Sequence, residues 1–195
     1  MGDSKEAIYQ KGSNRRRRSS AGKGSKNFKR HRFHKRWKDS AVEPHYVNSS
    51  DLKTLQYLTS KLLDQMTSLQ SKPAGKFADY HSIFYSLFWL AHEQNLVVFK
   101  KEEHVVGAVA FTVDTPWYTR YTCLEEVFVL DIDPSFYGFG RVALKFLKKT
   151  AKAYGCSLLE TGASMTDEPE MLRNLYEKKG KCTFSYPSFV WVLPN

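Results

Sequence analysis

Residues 124–154 read LEEVFVLDIDPSFYGFGRVALKFLKKTAKAY, and this stretch decides the fold. An apolar run, 124–130, has the alternation of a buried strand. A polar loop follows, closed by Gly138-Phe139-Gly140, and then Val142, Phe146, Leu147, Ala151 and Tyr154 recur at helical spacing. Strand, glycine turn and helix in that order leave small residues and unpaired backbone N–H groups at a helix N-terminus. Such an end binds phosphate, so a phosphate-bearing cofactor is expected.

Outward from this unit the hydrophobic period changes. Upstream, Ser50-Asp51 caps a predicted helix carrying Leu52, Leu55, Leu58, Leu62, Met66 and Leu69, broken at Lys72-Pro73-Ala74-Gly75. A second helix is predicted over 79–92, dense in aromatics. Strands follow at 95–100 and 105–113, a hairpin about the turn 101–104, and a third strand spans 121–130. After the glycine-turn helix come a short strand at 156–160, a helix at 168–179 stopped by Gly180, and strands at 182–184 and 189–193. No internal repeat is visible. The order implies an α+β domain around one sheet, with a right-handed β–α–β crossover between parallel strands over 121–160.

Charge divides the chain. It has 195 residues and a net charge of +10, yet residues 1–40 alone carry 14 Lys/Arg against three acids. The remainder holds 16 against 17 and is nearly neutral. Residues 1–41 are therefore read as a basic, disordered tail and 42–195 as the folded domain. Arg15, Arg16, Arg17 and Arg18 form one cationic run. Lys29, Arg30, Arg32, Lys35 and Arg36 form a second, interleaved with Phe28, Phe33 and Trp37. Cations neutralise phosphates and aromatics stack on bases, so residues 11–38 are candidates for nucleic-acid or acidic-protein binding. A localisation signal or a solubilising tail fits the same composition.

Other classes are disfavoured. No apolar run approaches the roughly 20 residues needed to span a bilayer, and the polar N-terminus is unlike a secretory signal. Cys123, Cys156 and Cys182 are isolated, as in a reduced, intracellular, cytoplasmic protein. His31 and His34 lack partners at metal-ligand spacing, and no metal site is expected. A dinucleotide fingerprint is nearly satisfied by Gly138, Gly140 and Ala143, with Glu160 placed for a ribose. The residues 131–137 before the glycines and the 55 after Gly140 argue against it: that fold wants a tight turn and a larger sheet. No Gly-Lys-Ser/Thr follows the turn, which excludes a P-loop.

The motif set resembles the GNAT N-acetyltransferase superfamily. Tyr137-Gly138-Phe139-Gly140-Arg141-Val142 matches its Q/R-x-x-G-x-G/A cofactor loop in place and element type. Asn174-Leu175-Tyr176-Glu177-Lys178-Lys179-Gly180 resembles its L-Y-x-K-x-G-F signature, and LEEVFV resembles the L-E-[DE]-x-x-V strand of diamine-type members. Here Tyr137 takes the Gln/Arg position, Val142 the last small-residue position, and Pro169 the place of an Asn seven residues before the motif tyrosine.

The resemblance implies a mixed, mostly antiparallel sheet with a central parallel crossover and flanking helices, acetyl-CoA as donor and an amine as acceptor. It implies that the loop from Tyr137 to Val142 receives the pyrophosphate, with Arg141 pairing to phosphate and Lys145 a candidate for the 3′-phosphate. Val129 and Leu130 would take pantetheine on exposed backbone. Tyr176 becomes the acid for the thiolate, and Glu125 or Glu126 the base for the amine; adjacent on a strand, the two point to opposite faces. Either the chain is an N-acetyltransferase whose tail localises it, or the three departures mark an inactive binding module on the same fold. The acceptor is not named by the residues.

Overall fold

The computed structural model describes residues 42–69, 73–162 and 169–182. Five strands form one sheet in the order β1-β2-β3-β4-β5. β1 (Glu43–Tyr46), β2 (Leu96–Lys101), β3 (His104–Asp114) and β4 (Cys123–Asp131) are antiparallel neighbours, and β5 (Leu158–Glu160) runs parallel to β4. The mixed, mostly antiparallel sheet and its parallel unit agree with the sequence expectation.

Local chemistry accounts for the helix starts. Asp51 accepts the Thr54 N–H at 3.1 Å and caps α1 (Leu52–Ser68). Asp79 accepts from the N–H groups of His81 and Ser82 and caps α3 (Tyr80–His92). In both cases the hydrogen bonds hold the aspartate pKa below its usual value. The helix α4 (Phe139–Ala153) starts differently, on Gly138 at φ +102° with no side-chain cap.

Two cores result. Leu55, Leu58 and Leu62 of α1 and Leu87, Leu90 and Ala91 of α3 pack on Leu96, Val98, Ala108, Ala110, Phe128 and Leu130. On the opposite face of the sheet, Phe139, Ala143, Leu147 and Ala151 of α4 meet Val97, Phe99, Val109, Phe111 and Leu124. Strands β2, β3 and β4 alternate their side chains between these two cores, as the pleat requires.

The structure corrects several expectations. β1 was not anticipated; its four residues are all exposed, so they carry no burial pattern. The break at 72–75 holds instead a short helix α2 (Pro73–Phe77). Gly75 fits there because a Cβ would lie 2.3 Å from the Leu69 carbonyl oxygen. The α4 stripe is rotated toward Phe139, Ala143, Leu144, Leu147, Thr150 and Ala151, leaving Tyr154 half exposed. Cys156 precedes β5 rather than lying in it, and Cys182 is in no strand. The last helix stops being α-helical midway: α5 (Pro169–Asn174) passes into a π-helical turn, Leu175–Lys179. The strand expected at 189–193 and residues 183–184 of the other lie outside the described residues.

Candidate active site

Strand β4 organises the site. Its pairing with β5 covers Cys123↔Leu158, Leu124↔Leu159 and Glu125↔Glu160 and then ends. Among the described residues, the rest of β4 pairs with β3 alone. The register with β3 also slips by one: Phe111 faces Glu126, Ala110 faces Phe128, and Val127 is the extra residue of a bulge. Before the bulge the Thr122 carbonyl points at β5, accepting from Ser157 and Leu158. After it, Ile132 N–H donates to Val106 of β3. By strand alternation Leu130 then also bonds toward β3, and Val129 turns its N–H and C=O to the side that β5 has left. Of the two backbone positions anticipated there, Val129 is the one that faces the opened edge. Its side chain packs on the α4 core, while that of Leu130 is buried on the other face.

At the fork between the strands sits a pair of side chains. The Tyr176 hydroxyl donates to Glu126 Oε2 at 2.9 Å. Glu126 is the first residue of β4 beyond its last pair with β5, and Thr161, just past the end of β5, also hydrogen-bonds Tyr176. Burial pushes the Glu126 carboxyl up to about 7, opposed only in part by the hydrogen bond from Tyr176. Tyr176 is raised above its usual value by burial first and by the neighbouring Glu126 second. Both groups thus hold their protons more tightly than they would in water.

Glu125 takes the opposite face. It is exposed and lies beside Glu160 in the parallel register. Glu160 in turn accepts from the Tyr118 hydroxyl at 2.9 Å, in the loop between β3 and β4. The two candidate glutamates therefore take opposite faces of the sheet, and Glu126 is the one joined to Tyr176.

The glycine turn is built against the second core. The Phe139 side chain is fully buried, and its ring fills the space above Gly107, where a Cβ would come within 2.4 Å. Only backbone atoms of Phe139 are thus left for any ligand. Gly138 takes the left-handed conformation, and the Arg141 guanidinium folds back to 3.3 Å from where a Gly138 Cβ would be. Gly140 lets Leu175 approach, a Cβ there lying 3.0 Å from Leu175 Cδ2. Val142 packs its side chain partly into the core, which accommodates the larger residue, and Tyr137 is 84% exposed.

Two further contacts were not legible in the sequence. Lys148 of α4 donates to the Gly180 carbonyl, tying α4 to the end of the π-helical turn. Gly180 is required by closeness, since a Cβ would lie 2.6 Å from the Tyr176 carbonyl oxygen. Arg15–Arg18, Lys29, Arg30, Arg32, Lys35 and Arg36 lie outside the described residues. Among the described residues no His, Cys, Asp and Glu group could hold a metal ion, and no helix is long and apolar enough to cross a membrane.

No protein-family model matches the chain, and no curated protein matches it in sequence. Solved structures do match in fold. A possible acetyltransferase from Clostridium difficile 630 has a TM-score of 0.59 at 12% identity, over 79% of this chain and 99% of its own. An aminoglycoside acetyltransferase from an uncultured soil metagenomic sample has a TM-score of 0.56 at 12% identity, over 78% and 99%. The ribosomal-protein-alanine N-acetyltransferase of Brucella melitensis biovar Abortus 2308 has a TM-score of 0.53 at 17% identity, over 79% and 100%. At such identities the similarity is one of fold: the α+β architecture of the GNAT acetyltransferases.

Proposed function

We propose that this chain, with the fold of the GNAT acetyltransferases, is an acetyl-CoA-dependent N-acetyltransferase. One observation carries the reading. The motif tyrosine, Tyr176, and a half-buried carboxylic group, Glu126, meet where β4 and β5 part, beside an edge of β4 that pairs with no strand among the described residues.

The residues fit the cofactor at both ends. The first N–H groups of α4, from Phe139 to Val142, lie at the positive end of the helix, and Arg141 adds a cation beside Gly138. Along β4, the N–H and C=O of Val129 would pair with pantetheine, and a main-chain N–H near the fork would stabilise a developing oxyanion. Acetyl-CoA supplies the activated acyl group. Tyr176, held protonated, donates a proton to the departing sulfur. An ammonium acceptor must lose a proton before attack, and Glu125, exposed beside Glu160 on the other face, is the group we assign to it. Helix α3 presents Tyr85 and Trp89 to solvent and would flank the acceptor. The basic residues 11–38 would bring the enzyme to a polyanion such as nucleic acid.

Isothermal titration with acetyl-CoA tests the proposal. Micromolar to sub-millimolar binding is expected; no binding at 1 mM refutes it and leaves a binding module on an acetyltransferase fold. For the tail, nucleic-acid affinity is compared between the full chain and residues 41–195 across a salt series. An unchanged affinity and salt slope would remove the tail from the reading.

A further inference from the structure

The Glu126–Tyr176 contact does more than hold a ring in place. A tyrosine hydroxyl has one hydrogen. While it is directed at Glu126 Oε2, as the 2.9 Å contact places it, the hydroxyl cannot also donate to a sulfur atom. Freeing that hydrogen requires Glu126 to become the donor.

We propose that Glu126 is the proton reservoir for Tyr176, and that the site works as an acid only when Glu126 is protonated. This rests on the acetyltransferase reading. In the step itself the Glu126 O–H bond breaks and its proton passes to the Tyr176 oxygen. The Tyr176 O–H bond breaks at the same time, and that proton forms the S–H bond of the leaving thiol. The tyrosine ends neutral and Glu126 ends as a carboxylate. The proton lost by the acceptor amine restores it through solvent.

The surroundings suit this role. Tyr176 comes from the π-helical turn, where the wider helical ring alters which side chains face the sheet. Lys148 anchors the end of that turn through the Gly180 carbonyl. Among the described residues Glu126 meets the Tyr176 hydroxyl and has Phe111 as its register partner on β3, and Thr161 beyond β5 hydrogen-bonds Tyr176 in turn. Glu125 and Glu160 are register partners on the opposite face, and among the described residues no charged side chain contributes to the perturbation of Glu126. Its protonation therefore follows burial rather than a salt bridge. With a midpoint of about 7, the protonated fraction falls about ten-fold from pH 6 to pH 8.

Tyrosine ring-carbon NMR on the full chain, labelled at Cζ, reads the pair with or without CoA. The Tyr176 signal, assigned by its loss in Tyr176→Phe, should move with a midpoint near 7 and stay constant in Glu126→Gln. Thiol release from acetyl-CoA, with n-propylamine as the acceptor probe, gives the kinetic arm. The wild-type to Glu126→Gln rate ratio should fall about ten-fold from pH 6 to pH 8, the acceptor's own titration cancelling. A Tyr176 signal unmoved between pH 6 and pH 8, or a rate ratio flat over that range, overturns the proposal. A titrating Tyr176 signal without CoA binding at 1 mM overturns the acetyltransferase reading, and the transfer to sulfur with it.

Discussion

Replacing Glu126 with Gln should remove the pH dependence that this one side chain imposes on folding. The carboxyl rises from its usual 4.5 to about 7 in the native state, chiefly through burial. Below pH 4.5 it is protonated in both folded and unfolded chains and costs nothing as a charge. Between pH 4.5 and 7 the unfolded chain ionises first, so native stability falls as pH rises. Above 7 both states are ionised, and the full penalty of the buried carboxylate applies. Moving from 4.5 to about 7 at about 1.4 kcal/mol per pH unit gives a ceiling of roughly 3–4 kcal/mol. Gln keeps the volume and an acceptor for the Tyr176 hydroxyl but cannot ionise. Urea denaturation of both proteins at half-unit steps from pH 4.5 to 8.5 isolates the effect, because all other titrating groups cancel in the difference. Stability of Glu126→Gln relative to wild type should climb by about 2–3 kcal/mol across that window. A difference constant to within about 0.5 kcal/mol would show that water reaches Glu126 freely, and the assignment of a buried, proton-retaining carboxyl would fall.

Other changes test the scaffold of the site. Gly107→Ala drives a methyl into the Phe139 ring and should cost about 1–3 kcal/mol in urea denaturation, with part recovered by adding Phe139→Leu. Gly138→Ala puts a side chain into the left-handed region beside Arg141, and should lower stability by about 1 kcal/mol and weaken CoA binding in calorimetry. Asp51→Ala removes the α1 cap and should cost about 1 kcal/mol by thermal or urea unfolding, leaving CoA affinity unchanged. Tyr176→Phe should bind CoA nearly as wild type while thiol release falls at least ten-fold; unchanged release would remove Tyr176 from the acid role.

Most element positions were legible because they rest on short-range signals. The caps at Asp51 and Asp79, the β2–β3 hairpin and the strand–loop–helix at 123–153 each depend on residues within a turn of one another. β1 and α2 escaped notice because nothing local marks them. β1 is exposed throughout and is held by pairing with β2, some fifty residues away in sequence. The fold class was readable from order and motif, whereas the contact that joins Glu126 to Tyr176 spans the chain and was not.

The division between sequence and structure is clearest at the two adjacent glutamates. Strand periodicity alone determines that Glu125 and Glu126 face opposite ways. It is silent on which face meets the last helix, because that depends on a contact between residues 50 apart, Glu126 with Tyr176. Glycines show the same split. The left-handed turn at Gly138 is a local backbone demand that glycine-rich sequence announces. Gly107 and Gly180 are required only because Phe139 and the Tyr176 carbonyl press on them in three dimensions. Only the fold, through the bulge at Val127 and the end of β5 at Glu160, opens the edge of β4 and brings a half-buried carboxyl to the tyrosine at the fork. Local sequence determines secondary structure through caps, turns and period; the Glu126–Tyr176 pair exists only once packing has brought the two together and half-buried both.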